Sequence, residues 1–247
     1  ETSIPLAERL SLLKQAYPQV VRAIDGNTLR LHGGRDLMID DGRRKSHQDK
    51  LRHADIEDML SQVYPLGKCV RGKPSRNFDP GRIRSDAFFR AVYGENNREA
   101  AAKLVAVAWF GQRIRFTATA GADAALRKAA ADLARLPARF RRYLKPSGGT
   151  FNWRNIANTN RLSVHSFGAA IDINTKFTDY WLWKGGKPGN VPAYRNQIPA
   201  EIVEIFERHG FVWGGRWYHF DTMHFEYRPA IIAIARLNAQ RGCRETG

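Results

Sequence analysis

The sequence predicts an α+β fold: a small central antiparallel sheet with flanking helices, preceded by a helical and hairpin extension at the N-terminus. Three observations lead there. Short alternating stretches such as 113–119 and 223–227 read as strands with one buried face. Amphipathic and Ala-rich stretches precede and follow them. The chain shows no regular strand–helix–strand alternation and no glycine-rich phosphate loop, which argues against a doubly wound parallel sheet.

Taken in order, residues 4–16 suit a helix, with Pro5 in the first turn and Leu6, Leu10 and Leu13 at helical spacing. Asp25-Gly26-Asn27 is a turn. Residues 28–32 and 36–39 flank Gly33-Gly34 and read as a β-hairpin. Residues 43–53 are polar and basic and read as a loop, with His47 and His53 as surface histidines. Residues 54–64 read as a helix, and 65–85, rich in Gly, Pro, Arg and Lys, as irregular chain. Helices are expected over 86–93 and 98–110, the second with a stripe of Ala101, Leu104, Val105, Ala108 and Trp109. A strand follows over 113–119, then a helix over 122–136 and a basic cluster over 139–145. A short helix over 199–209 stops at Gly210, and a final helix begins at Pro229.

The 247 residues, 43% hydrophobic and 11% aromatic, are ample for the core of one domain with an elaborated extension. The expected division is an extension over 1–95 packed on a main domain over 96–247. The net charge of +16 favours anionic partners, among them bacterial wall polymers and membrane surfaces. Nucleic acid is disfavoured, because no helix-turn-helix, zinc-finger or RNA-sheet motif is legible. No apolar run is long enough to span a membrane. The chain opens on Glu1 without a charged-then-apolar leader. It therefore reads as a mature form, with a periplasmic or secreted location expected. Cys69 and Cys243 form no CxxC pair, which disfavours a thiolate metal site. In an exported protein they are expected to form one disulfide, and otherwise to be two buried thiols.

Two stretches carry chemistry. One is Ser163-Val-His165-Ser-Phe-Gly168-Ala-Ala-Ile-Asp172, the other Phe220-Asp221-Thr-Met-His224-Phe225-Glu226. Together they offer two imidazoles and several carboxylates in frames of small and aromatic residues, enough for a three-ligand zinc site and a general base. His165 and Asp172 lie seven apart, an odd separation, so a bend must bring them to one side, and Gly168 can supply it. Ile171 and Ile173 flank Asp172 as core residues, and a carboxylate so placed needs a partner or a metal. Met223, Phe225 and Tyr227 alternate as a core face, so His224 and Glu226 face the other way. Asp221, near the strand start, is placed to exchange a proton with water.

With these residues in view, the sequence resembles the zinc peptidoglycan peptidases of the VanX/VanY type. That family includes D-Ala-D-Ala carboxypeptidases and dipeptidases and L-alanyl-D-glutamate endopeptidases. The resemblance covers residues 148–227 well and 104–146 loosely, and leaves 1–95 outside. It implies the family's zinc peptidase fold, shared with hedgehog-like domains, and one zinc ion on His165, Asp172 and His224. It also implies Asp221 as catalytic base and an upstream arginine for the oxyanion or a substrate carboxylate, Arg154 first and Arg161 second. Ser163 is expected to brace the His165 loop, and Trp213 and Trp217 to line the substrate groove with Tyr218 and His219. Trp181 and Trp183 lie in an insertion that can form a lid. An Asp at the base position leans toward the endopeptidase branch, with muropeptides as partners. D-Ala-D-Ala carboxypeptidase, D,D-endopeptidase and a non-catalytic wall-binding module remain alternatives.

Overall fold

The computed structural model describes residues 4–156 and 159–243. It is mixed α+β, with three small antiparallel sheets and helices around them. The first sheet is a meander of β1 (Val21–Asp25), β2 (Thr28–Leu31) and β3 (Asp36–Met38). The hairpin expected from Gly33-Gly34 is therefore joined by a strand that the sequence pattern did not single out. Helix α1 (Leu6–Ala16) precedes it.

The segment read as a polar loop contains a helix, α2 (His47–His53), because Ser46 caps it by accepting from the Asp49 N–H. The next expected helix shrinks to α3 (Ile56–Met59), held by a reciprocal Asp55–Asp58 capping box. Residues 65–85 are irregular apart from one turn at Gly67–Cys69. Cys69 is disulfide-bonded to Cys243. Helix α4 (Asp86–Tyr93) stands where the periodicity put it.

The helix expected over 98–110 is corrected. Helix α5 (Asn97–Ala102) is short, and Leu104–Trp109 is a strand, β4, paired with β5 (Gln112–Thr117). Val107 and Trp109 alternate inward while Ala106 and Ala108 face solvent. The two-residue turn between the strands places Phe110 and Gly111 at φ 43° and 87°, the left-handed pair that matches strand twist. Helices α6 (Ala122–Ala134) and α7 (Arg141–Leu144) follow.

The third sheet carries the site. Its order is β6 (Ala170–Asp172), β8 (His224–Tyr227), β7 (Phe211–Trp213), with β8 central. Helix α8 (Ala200–Arg208) leads into β7, and α9 (Pro229–Gln240) leaves β8. One core cluster packs Ile171, Ile173 and Phe225 against α6, α8 and the β4–β5 hairpin. Within it, Phe206 of α8 stacks on Phe225 at a centroid distance of 4.0 Å. A second cluster joins α1, the first sheet and α4 to Val164, Phe167 and α9. The N-terminal third thus shares a core with the loop that carries His165.

Candidate metal centre

Strand pairing puts Asp172 directly opposite His224. The third residue arrives from a turn, Val164–Phe167, in which the Ser163 hydroxyl accepts from the His165 N–H at 3.3 Å. Gly168 ends that turn at φ 63°, and a Cβ there would sit 2.3 Å from the Leu104 side chain. Both conditions favour glycine, so the bend expected between His165 and Asp172 is built on the residue that takes it with least strain.

Three donor atoms converge. His165 Nε2 lies 3.2 Å from His224 Nδ1 and 3.2 Å from Asp172 Oδ1, and His224 Nδ1 lies 3.1 Å from Asp172 Oδ1. The outer ring atoms decide the protons. His165 Nδ1 is 3.0 Å from the Thr150 carbonyl, which only accepts, so the ring donates there and its Nε2 is bare. His224 Nε2 is 3.1 Å from the Glu226 carboxylate, which orients its Nδ1 lone pair inward in the same way. Three such atoms facing one another can hold a cation between them, and two imidazoles with a carboxylate are a donor set for zinc. Without a metal ion a proton takes that place: burial disfavours charge on His224, but the bonds to Asp172 and Glu226 outweigh it and push the imidazole up to about 10. Burial also works against the Asp172 carboxylate, and the two histidines overcome it and hold its pKa far below the ordinary value.

Asp221 stands beside this trio. Its backbone bonds Gly214, and its Oδ1 is buried without a hydrogen-bond partner. Burial, and secondarily the Asp172 charge against the pull of His224, raise its carboxyl to about 6. A carboxyl raised to that range is suited to exchange a proton near neutrality. Glu226, bonded to His224 and at 2.9 Å to Arg228, is held down at about 2 despite its burial.

A cavity of about 270 Å³ opens over these groups, bordered also by Ser163, Trp217, Tyr180, Trp183 and three arginines, Arg82, Arg84 and Arg154. Arg154 is exposed at the rim. Arg161 is buried, close to Asp86 at 3.8 Å, and lowered to about 9 by that burial and by Arg84. Trp217 borders the site, its ring 5.7 Å from His224. Trp213 lies elsewhere: its indole donates to the Thr222 carbonyl, its ring packs on Phe225, and it borders a separate cavity of about 400 Å³. The groove-lining role expected of Trp213 is thus replaced by support beneath β8.

Sequence reasoning missed Arg82 and Arg84, which come from the segment read as irregular chain. The Arg82 guanidinium lies 5.8 Å from the Trp181 ring centroid and 5.5 Å from that of Trp217, and acts electrostatically on Asp221. His47 is also corrected. It is mostly buried, and it joins Asp79 and His219 in a second cluster that could hold an ion. Two acidic clusters of that kind, around Asp55, instead surround Lys45, whose ammonium lies 2.6 to 2.9 Å from Asp41, Asp55 and Asp58.

A family model described as D-alanyl-D-alanine carboxypeptidase matches residues 157–227, the range that holds His165, Asp172, Asp221 and His224. Neither a curated protein nor a solved structure matches the chain. The family match supports a hydrolase of the peptidase class and, in general terms, action on peptidoglycan. Among the described residues no helix is long and apolar enough to cross a membrane.

Proposed function

We propose that the chain is a zinc-dependent peptidase that hydrolyses an amide bond in peptidoglycan stem peptides, of the L-alanyl-D-glutamate endopeptidase type. The observation that carries this reading is the convergence of two imidazole nitrogens and a carboxylate oxygen beside a buried, unpartnered carboxylate oxygen in one cavity. His165, Asp172 and His224 would hold the ion, and when bound it supplies a Lewis acid for the scissile carbonyl and for water. Asp221 takes the proton of the attacking water and returns it to the leaving amine. Arg82, between two tryptophans at the cavity and acting electrostatically on Asp221, supplies the cation for the oxyanion or a substrate carboxylate. It is better placed than the exposed Arg154 and than Arg161, which lies behind the cavity wall.

Asp rather than Glu at position 221 favours the endopeptidase type within the resemblance. The description of the matching family favours D-Ala-D-Ala carboxypeptidase as the second reading. The Cys69–Cys243 disulfide suits a periplasmic or secreted location, where the charge of +16 favours anionic wall polymers. Incubation with purified muropeptides, with and without a chelator, tests the proposal by product mass. Release of an L-Ala-terminated glycan fragment supports the endopeptidase, and loss of one D-Ala supports the carboxypeptidase. Chelator-resistant cleavage would overturn the zinc mechanism.

A further inference from the structure

The N-terminal third enters the site through one short segment, residues 78–84. It is sewn to residues 217–219 along its length. Tyr218 N donates to the Phe78 carbonyl at 2.8 Å, and the Trp217 indole donates to the Pro80 carbonyl at 2.7 Å. Asp79, fully buried, is the centre of the seam. Its Oδ1 accepts from the His219 N–H at 2.9 Å and its Oδ2 from His219 Nδ1 at 2.7 Å, with His47 Nε2 at 2.9 Å from the same oxygen. Three residues on, Arg82 donates from its backbone to the Asp79 carbonyl and from Nη1 to the His219 carbonyl at 3.0 Å. Asp79 thus holds the Arg82 backbone, and His219 holds its guanidinium.

The cluster could be mistaken for a second metal site, but the protons of His219 are already assigned. Gly189 N–H points at His219 Nε2 at 2.9 Å, so Nε2 is the acceptor and Nδ1 carries the hydrogen that goes to Asp79. A metal on Nδ1 would need that hydrogen removed while Nε2 still faced a donor. The Gly189 bond also ties in the insertion that carries Trp181, whose ring meets His219 edge-on at 4.7 Å.

We infer that Asp79 and His219 are positioning residues for Arg82, and that segment 78–84 of the N-terminal third is a wall of the active site rather than an outer cover. The inference rests on the peptidase reading for its kinetic consequence, and on geometry alone for its structural one. The catalytic unit then does not separate at residue 95.

Two measurements test it. In steady-state kinetics on a muropeptide, Arg82→Ala and Asp79→Ala each lose about tenfold or more in kcat/KM, the scale of one bond to a charged group. The double variant is no worse than Arg82→Ala alone, because the clasp acts through that arginine. Multiplying losses, or a lower melting temperature with unchanged kinetics, would show a merely structural role and overturn the inference. The second measurement needs no turnover. In the nitrogen–proton spectrum of the metal-free protein, the Arg82 Nε–H signal shifts and broadens in Asp79→Ala and His219→Ala. His219→Asn, whose amide nitrogen replaces Nδ1 as donor, restores it, whereas His219→Gln does not. An Arg82 signal indifferent to these changes overturns the inference. A chain that cuts no muropeptide would overturn the peptidase reading, leaving the spectrum to decide the clasp.

Discussion

His165, Asp172 and His224 make one cluster of two imidazoles and a carboxylate, and His47, Asp79 and His219 make another. Side-chain identity does not separate them, but the outer partners do. In the first, the distal ring nitrogens meet a carbonyl and a carboxylate, at Thr150 and Glu226, so the hydrogens lie outside and lone pairs lie within. In the second, the distal nitrogen of His219 meets the N–H of Gly189, so the hydrogen lies within and goes to Asp79. The distances differ in the same sense: 3.1 to 3.2 Å among the three atoms of the first cluster, against 2.7 and 2.9 Å from His219 and His47 to Asp79 in the second. On the reading proposed above, whether such a His–Asp–His cluster suits a metal or a clasp turns on a bond beyond the cluster.

The largest expected effect separates the two clusters directly. His165→Ala or His224→Ala should lose the metal and on the order of a thousandfold or more in activity, since the Lewis acid leaves with its ligand. His47→Ala should keep its metal, and elemental analysis of the parent chain should find one equivalent of zinc. Two equivalents would break the comparison.

Next comes Asp221→Asn, which should keep the metal and lower kcat by about a hundredfold to ten-thousandfold, the usual worth of a general base. Its stability should move the other way. Burial raises the Asp221 carboxyl from 3.8 to about 6, so the folded metal-free chain holds this proton more tightly than the unfolded chain. The stability so gained is full below about pH 4 and lost as pH rises through about 6. Thermal melts of the metal-free proteins should therefore show the variant above its parent beyond pH 6 and no gain below pH 4.

The smallest effect sharpens the role of the outer partners. Glu226→Gln leaves all three ligands in place but no longer draws the His224 hydrogen outward by charge. Metal affinity measured against a competing chelator should fall by about ten- to a hundredfold. An unchanged affinity would mean that Glu226 serves Arg228 rather than the metal centre.

Much of the site was legible in the chain because its residues lie close in sequence around a forced bend. His165 and Asp172 flank a glycine that the backbone favours, and Asp221 and His224 share one strand entry. Phe225 and Tyr227 declared the core face of β8 by alternation. The misreadings have equally local causes. Ala and Val in 104–109 fit a helical stripe as well as an alternating strand, and only pairing with β5 decided between them. His47 sits among charged neighbours, so nothing nearby in sequence revealed Asp79 or His219. Trp213 lies only a few residues from Trp217, yet the turn at Gly214 and Gly215 sends the two rings to different sides.

By itself the sequence determined the α+β class, the two motifs and the core-facing places of Phe225 and Tyr227, though not of Met223, which borders the cavity, because alternation and glycine geometry are properties of adjacent residues. Only the tertiary structure decided which outer groups the histidine nitrogens meet, and that Arg82 and Arg84 border the cavity. Those depend on hydrogen bonds and packing between segments far apart in the chain, such as Thr150 with His165, Gly189 with His219 and Arg82 with Trp181.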